Sequence, residues 1–145
     1  ESEGSLHIRS ADPSAPPVIN PNWLAAENDQ RLAIEAIRYI RRYASQPPLR
    51  RHIVEELLPG GECQSDEAML LAFRRLATCG LHGTGTCRMG SDERSVVDER
   101  LRVRGVSGLR VADCSVMPGL VSGNTNAPAM ATGYRAADLI MDDNR

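Results

Sequence analysis

The sequence contains no lysine, few aromatic residues and no long hydrophobic run. All 17 basic residues among its 145 are arginine, which excludes a phosphate-loop lysine, a Schiff-base lysine and a pyridoxal-phosphate lysine. Aromatic residues make up only 3% of the chain, so neither a base-stacking platform nor an aromatic carbohydrate groove is expected. No apolar run approaches the roughly 18 residues that would span a bilayer. We therefore expect a soluble globular domain with no transmembrane segment.

The chain also lacks a surplus of charge and any metal-binding cysteine pattern. Its net charge is −2, so nucleic acid and anionic membranes are not expected partners. No Cys-x-x-Cys pair occurs among the four cysteines, so no metal site is predicted. Free thiols suit a reducing compartment, and we expect a cytoplasmic location. The first residue is not methionine and no secretory signal follows it, which suggests a processed product or a fragment.

The first 78 residues have the patterns of one strand and three helices. Alternating apolar residues predict a strand with one buried face over Ser5–Ser10, and four prolines predict an irregular connector over Ala11–Asn22. Helical periodicity predicts a helix over Glu27–Ala44. Pro47 and Pro48 should end it, and a shorter helix is expected over Leu49–Leu58, before the Pro59-Gly60-Gly61 break. A third helix should follow Ser65, its expected cap. The apolar faces of the first and third helices comprise Ala33, Ala36, Ile37, Ile40 and Tyr43, and Met69, Phe73, Leu76 and Ala77.

After Thr78 the sequence changes to short segments punctuated by glycine. Gly80–Gly90, Leu101–Gly105 and Leu109–Asp113 are expected to form short strands and functional loops. A last helix is predicted over Ala127–Met141, with Asn126 as its cap and an apolar face formed by Met130, Tyr134, Ala137 and Ile140. Two acidic and basic clusters, at 92–94 and 98–100, are interpreted as solvated loop charge. Because strands and helices do not alternate, the expected fold class is α+β.

His82 is the leading candidate for chemistry, although several interpretations of it are open. Its neighbours Gly83 and Gly85 suggest a dinucleotide-binding turn, but Arg88 occupies the third glycine position and the stretch follows a helix. A loop histidine bonded among glycines is the simplest account. A pairing with Cys87 lacks any known local signature. The serine of Asp113-Cys114-Ser115 lacks the Gly-x-Ser-x-Gly elbow that would expose it as a nucleophile.

Several ordered motifs, taken together, resemble the carboxy-terminal region of the glucose-methanol-choline oxidoreductases. The central motifs are His82-Gly-Thr-Gly-Thr-Cys-Arg-Met-Gly90, then Val97-Asp98 with Leu101-Arg-Val-Arg-Gly105-Val-x-Gly108-Leu-Arg-Val-Ala-Asp113-x-Ser-Val-Met-Pro118, then Ser122-Gly-Asn-Thr-Asn-Ala-Pro128. The amino end resembles the family's last substrate-domain segment through Gly4-x-Leu-x-Ile-x-Ser-Ala-Asp-Pro13 and Pro17-x-Ile-x-Pro21-Asn. The resemblance covers essentially the whole chain.

The resemblance implies the carboxy-terminal segment of a two-domain flavoenzyme with FAD as cofactor. Residues 1–78 would belong to the substrate-binding region, and residues 79–145 would form the active-site and FAD-contacting region. The family's amino-terminal Gly-x-Gly-x-x-Gly motif, which binds the adenosine diphosphate end of FAD, does not occur in this sequence. The expected partners are therefore an alcohol substrate and an amino-terminal FAD-binding half, in the same or another chain.

The same resemblance implies roles for five residues. His82 corresponds to the active-site histidine, and Asn124 to a second active-site position that is most like the choline-type dehydrogenases. Asp113 corresponds to a residue near the ribityl and pyrophosphate region of FAD, and Thr125 and Asn126 to positions near the isoalloxazine edge. Alternatively, Asp113 caps a turn and Asn126 only caps a helix. A neutral imidazole can take the hydroxyl proton of an alcohol, and an amide can donate to the developing alkoxide.

Three interpretations of the chain as a whole remain open. It is a fragment of a complete enzyme, which we favour, or a subunit that joins a separate cofactor-binding chain, or an orphan remnant without activity of its own. Within the same scaffold, a hydroxynitrile-lyase-like relative would use the histidine as a base without redox turnover. The identity of the alcohol and of the electron acceptor does not follow from this segment.

Overall fold

A computed structural model of the protein describes residues 1–144 and has the α+β class that the sequence predicts. That range contains four α-helices and one two-stranded antiparallel sheet. The chain forms two compact units, Glu1–Thr78 and Cys79–Arg145. None of the helices within residues 1–144 combines the length and the apolar character that crossing a membrane requires.

The first unit begins with a hairpin in place of the single predicted strand. Strand β1, Ser5–His7, pairs antiparallel with β2, Val18–Asn20, so that Leu6 lies opposite Ile19. The connector prediction missed β2 because its prolines flank the strand instead of interrupting it. Both strands are exposed along their whole length. The predicted buried face is therefore wrong in this structure, since no helix of the first unit packs against the hairpin.

Helix α1 has the predicted bounds, Glu27–Ala44, but its buried face is narrower than predicted. Ala33 and Ile34 are buried and Ile37 is partly buried, whereas Ile40 and Tyr43 are largely exposed. The difference arises because the core of this unit contacts α1 at Ile34 and Ile37, so the last part of the predicted stripe is left uncovered.

The predicted helix over Leu49–Leu58 is wrong, because α2 spans only Pro47–Arg50. Proline suits the first turn of a helix, where its missing N–H has no partner to lose, so Pro47 and Pro48 start α2 instead of only ending α1. The following loop is held by Arg41 of α1, whose guanidinium binds the Glu56 carboxylate at 2.8–3.1 Å. It also donates to the carbonyls of Gly60 and Cys63 at 3.0 and 2.8 Å. These bonds hold the loop between α2 and α3 in an irregular conformation.

Helix α3, Asp66–Leu76, begins as predicted at a serine cap. The Ser65 hydroxyl accepts a hydrogen bond from the Ala68 amide at 3.1 Å, which satisfies one of the unpaired donors of the first turn. Met69 of its predicted stripe packs with Ile34 and Cys63 to form the core of this unit. The end of the stripe, Leu76 and Ala77, is exposed.

The second unit has irregular backbone where short strands were predicted. Only isolated bridges form in this part of the described chain, between Met89 and Val97, Val97 and Val103, and Arg102 and Arg110. The core of the unit consists of Val97, Leu101, Val116, Ala136 and Leu139. Val97 and Val116 are completely or almost completely buried, so this core, not a sheet, fixes the path of the loops.

The two acidic and basic clusters fold the loops and are not simply solvated. The Asp98 carboxylate accepts from the amides of Arg100 and Arg102, each at 2.9 Å. Asp92 forms an ion pair with Arg88, and this bond is the main reason that the pKa of its carboxyl falls to about 2. Each carboxylate therefore stabilises the local fold of its loop.

Helix α4, Asn126–Asp143, is longer than predicted and buries a different face. Ala136 and Leu139 enter the core, whereas Met130 and Tyr134 of the predicted face are 68% and 76% exposed. α4 therefore has two apolar stripes. The stripe with Ala136 and Leu139 packs in the core, and the predicted stripe with Met130 and Tyr134 does not. At the far end of the helix, the Asp143 carboxylate binds both Arg100 and Arg110.

Candidate active site

The segment that carries His82 is fixed by backbone hydrogen bonds to a short 3₁₀ turn at Cys114–Val116. The Cys87 amide donates to the Ser115 carbonyl at 3.0 Å, and the Met89 amide donates to the Val116 carbonyl at 2.8 Å. Gly85 has a φ of +84°, a conformation that residues with a Cβ rarely adopt, so glycine is required at this bend. The loop is therefore held in place on the core of the second unit.

The imidazole of His82 forms a hydrogen bond to the residue that precedes α4. His82 Nδ1 lies 2.9 Å from Thr125 Oγ1, and the two residues are 43 positions apart in the chain. The ring is partly buried, whereas Thr125 is only 8% exposed. Among the described residues, the ring bonds to Thr125 and not to Cys87 or Ser115, so the thiol and serine nucleophile hypotheses gain no support.

Thr125 occupies the N-cap position of α4, which corrects the expectation that Asn126 caps this helix. The first helical bond runs from the Ala129 amide to the Thr125 carbonyl at 2.9 Å. Asn126 is the first helical residue, and its side-chain amide lies 3.9 Å from Met130 Sδ. Pro128 lies in the first turn, where its missing N–H removes no helical bond, as predicted. The amides of this turn have no partner within the helix and carry partial positive charge.

Asn124 immediately precedes Thr125 and is exposed. Within residues 1–144 its side-chain amide has no hydrogen-bond partner, so both its donor and its acceptor groups can bind an added molecule. Asn124 is therefore the chain neighbour of Thr125, which bonds to His82.

Asp113 caps the 3₁₀ turn, which is the simpler of its two predicted roles. Its carboxylate accepts from the Ser115 amide at 2.8 Å, and the hydrogen bonds from Ser115 lower the pKa of the carboxyl. The group is therefore ionised at neutral pH. The next residue, Cys114, places its Sγ 4.0 Å from the Thr125 carbonyl oxygen, so the turn adjoins the start of α4.

The five predicted site residues thus lie on three segments that meet in the second unit. The direct contact between His82 and Thr125 is the feature that sequence reasoning missed, because Thr125 was assigned only to a cofactor edge. No local signal reports a bond between residues so far apart in the chain. Among residues 1–144, no group of three or more His, Cys, Asp or Glu side chains is placed to hold a metal ion.

Comparison with known proteins identifies relatives along nearly the whole chain. Residues 1–133 match the family model of the GMC oxidoreductase carboxy-terminal region. An uncharacterised GMC-type oxidoreductase of Mycobacterium tuberculosis is 49% identical over an alignment of 145 positions, which covers 97% of this chain and 27% of the relative. The oxygen-dependent choline dehydrogenase of Escherichia coli is 42% identical over 139 residues, which are 96% of this chain and 25% of the relative.

A solved structure has the same fold over the same region. The FAD-dependent oxidoreductase from Chaetomium thermophilum superposes with a TM-score of 0.90 at 32% identity, over 98% of this chain and 25% of that one. The chain thus spans about a quarter of the length of the relatives that it matches.

Proposed function

Because this chain belongs to the GMC oxidoreductase family, we propose that it is the carboxy-terminal part of an FAD-dependent enzyme that oxidises the CH–OH group of an alcohol, choline-like or other. The observation that carries the proposal is the bond between His82 and Thr125, which holds a partly buried imidazole at the start of α4. The remainder of the FAD site would come from an amino-terminal part, in the same or another chain. Residues 1–78 would contribute to the substrate-binding region, and residues 79–145 would contribute the active site.

His82 is the proposed general base. Oxidation of an alcohol to a carbonyl removes a proton from the hydroxyl oxygen and a hydride from the adjacent carbon. Since Nδ1 of His82 is engaged by Thr125, Nε2 is the nitrogen left to accept the hydroxyl proton. When bound, FAD would accept the hydride.

Asn124 is the proposed second catalytic residue. An amide does not take a proton at neutral pH, but its NH₂ group can donate to the oxygen on which negative charge develops as the proton leaves. The exposed side chain next to Thr125 is free to make that bond. The assignment, like the choline-type substrate class, is supported by the family motif and by the 42% identity to a choline dehydrogenase.

The residues near α4 fit a flavin cofactor. The first-turn amides of α4 provide donors for electronegative ring atoms, and the exposed Asn126 side chain adds a donor and an acceptor. Thr125 would contribute its backbone amide, since its hydroxyl is engaged by His82. The ionised Asp113 retains acceptor capacity beyond its bond to Ser115 and suits the hydroxyl groups of a ribityl chain.

The deciding experiment is anaerobic mixing of the assembled, flavin-loaded enzyme with a panel of primary alcohols that includes choline. Loss of the oxidised-flavin absorbance on addition of an alcohol is the expected result. Turnover of a cyanohydrin without any bleaching would favour a lyase. A complex that loads flavin but responds to neither substrate class would favour a role without catalysis.

The isolated 145-residue chain is not expected to hold FAD tightly. Its sequence has no Gly-x-Gly-x-x-Gly turn for the pyrophosphate, and its proposed flavin contacts lie on one exposed wall. Titration with FAD, followed by gel filtration and absorbance, should give no stoichiometric complex at micromolar concentration. Addition of the amino-terminal half should restore binding. A stoichiometric yellow complex of the chain alone would contradict this prediction.

Asn126→Asp should lower the reduction potential of the flavin in the assembled enzyme. Helix N-termini stabilise nearby negative charge by about 0.3–2 kcal/mol, and reduced flavin carries more negative charge than oxidised flavin. A carboxylate at the first helical position would oppose that stabilisation. Asn126→Gln is the neutral control, and redox titration is the measurement. Equal potentials in the two fully loaded variants would mean that this helix end does not act on the flavin.

A further inference from the structure

The hydrogen bond between Thr125 and His82 can run in either direction, and its direction affects the proposed reaction. Neutral imidazole has one N–H and one bare nitrogen, and the hydrogen bond made by one nitrogen determines which form is present. A threonine hydroxyl can either donate to Nδ1 or accept from it. The two arrangements leave opposite nitrogens available for catalysis.

We propose that Thr125 is a positioning residue that accepts a hydrogen bond from Nδ1–H of His82 and thereby keeps Nε2 unprotonated and directed at the substrate hydroxyl. The inference deepens the proposed function and rests on it. In this arrangement the hydroxyl proton of the alcohol moves to Nε2, and the Nδ1–H bond to Thr125 persists as the ring gains its positive charge. If Thr125 donated instead, Nε2 would already carry a proton and could not accept another.

The surroundings of Thr125 suit this role. The residue is 8% exposed, so its hydroxyl has little access to water as an alternative partner. Its side chain makes no capping bond to α4, which leaves Oγ1 available to the imidazole. Its carbonyl accepts the first helical bond, from Ala129 at 2.9 Å, and this fixes the backbone. A β-branched side chain on a fixed backbone has few rotamers, so the position of Oγ1 is well defined.

The His82 loop is equally constrained, which makes the bond a link between two fixed segments. Two backbone bonds, from Cys87 and Met89, hold the loop on the 3₁₀ turn. Cys114 of the same turn approaches the Thr125 carbonyl oxygen. The geometry of the bond is therefore set by the core of the second unit and not by the two side chains alone.

The test compares Thr125→Val, which keeps the shape but removes the hydroxyl, with Thr125→Ser, which keeps the hydroxyl. The assembled, flavin-loaded enzyme is labelled with ¹⁵N-histidine, and NMR should show that Nδ1 of His82 is protonated and Nε2 is not. The signal of His82 is assigned by its absence from the spectrum of His82→Gln. Thr125→Val should shift this population toward the other tautomer. It should also slow flavin reduction by about 10- to 100-fold, the usual cost of losing the partner of a functional imidazole, with little change in substrate affinity. Thr125→Ser should recover most of the rate and the original tautomer.

Three outcomes would overturn the inference. In the first, NMR finds Nε2 protonated in the unmodified enzyme. In the second, the valine and serine variants lose equal activity with unchanged tautomers, which would show that Thr125 has only a packing role. In the third, His82→Gln reduces flavin at the normal rate. The proposed function and this inference would then both be wrong. If His82→Gln slows flavin reduction but Thr125→Val does not, the proposed function stands and only this inference is wrong.

Discussion

His82→Ala is expected to slow flavin reduction by about 10²- to 10⁴-fold in the assembled enzyme, the range typical of a positioned acid–base group. The variant removes the imidazole that bonds to the Thr125 side chain at the start of α4 and is the proposed proton acceptor. Stopped-flow anaerobic mixing with the alcohol, monitored by flavin absorbance, measures this step directly. Substrate affinity should change much less, because the base acts mainly as the proton moves.

His52→Ala is the matched control for this variant. His52 is exposed, its ring bonds to the neighbouring Arg51 side chain at 3.0 Å, and it is not one of the residues proposed for the site. It should reduce flavin at the normal rate. Equal rates for His82→Ala and His52→Ala, with full flavin loading in both, would refute the assignment of His82 as base.

Asn124→Ala is expected to lower the flavin reduction rate by about 10²- to 10³-fold, as loss of one oxyanion donor commonly does. The amide strengthens its bond as charge develops on the substrate oxygen, so the rate should suffer more than the apparent dissociation constant of the alcohol. Saturation kinetics of flavin reduction separate the two quantities.

Asn124→Asp provides the sharper comparison. It conserves size but replaces the donor with a negative charge, which would repel a developing alkoxide. This variant should be at least as slow as Asn124→Ala. A change confined to substrate affinity in both variants would assign Asn124 to substrate binding and not to the chemical step.

Local patterns predicted where helices occur better than which faces they bury. The bounds of α1 and the serine cap of α3 follow from periodicity and capping chemistry that a short window contains. The buried face of α4 does not. Met130 and Tyr134 form the more conspicuous apolar stripe, yet the smaller Ala136 and the Leu139 side chain enter the core. A helix with two apolar stripes gives the sequence no local basis for choosing between them.

Other elements depend on partners that lie far away in the chain. The segment after α2 was predicted to be a helix from the breaks on either side of it, but Arg41 supplies hydrogen bonds that stabilise an irregular loop. β2 exists only because β1 pairs with it across the proline-rich connector.

In the candidate site, too, some features follow from local motifs and others depend on the fold. His82, Asn124, Asp113 and Asn126 could be named from motifs, whereas the contact between His82 and Thr125 requires the folded core of the second unit. The position of Thr125 as the N-cap of α4 depends on a backbone conformation that the motifs do not encode, whereas the turn-capping role of Asp113 was one of its two predicted roles. Sequence patterns therefore named the residues proposed for the site but not the bond between His82 and Thr125.

The Asp143 carboxylate binds Arg100 and Arg110 at the end of α4 that is farthest from the proposed site. α4 is 18 residues long, so this ion cluster lies about 27 Å from Thr125 at 1.5 Å per residue. Since these ion pairs tie the last turn of α4 to loops of the same unit, we expect them to help set the rotation of the helix about its axis, and with it the direction in which Thr125 meets His82. Damage to the last turn of α4 would misalign the imidazole without altering any residue near the substrate. An activity assay alone would then attribute to the catalytic residues a defect that began at the opposite end of the helix.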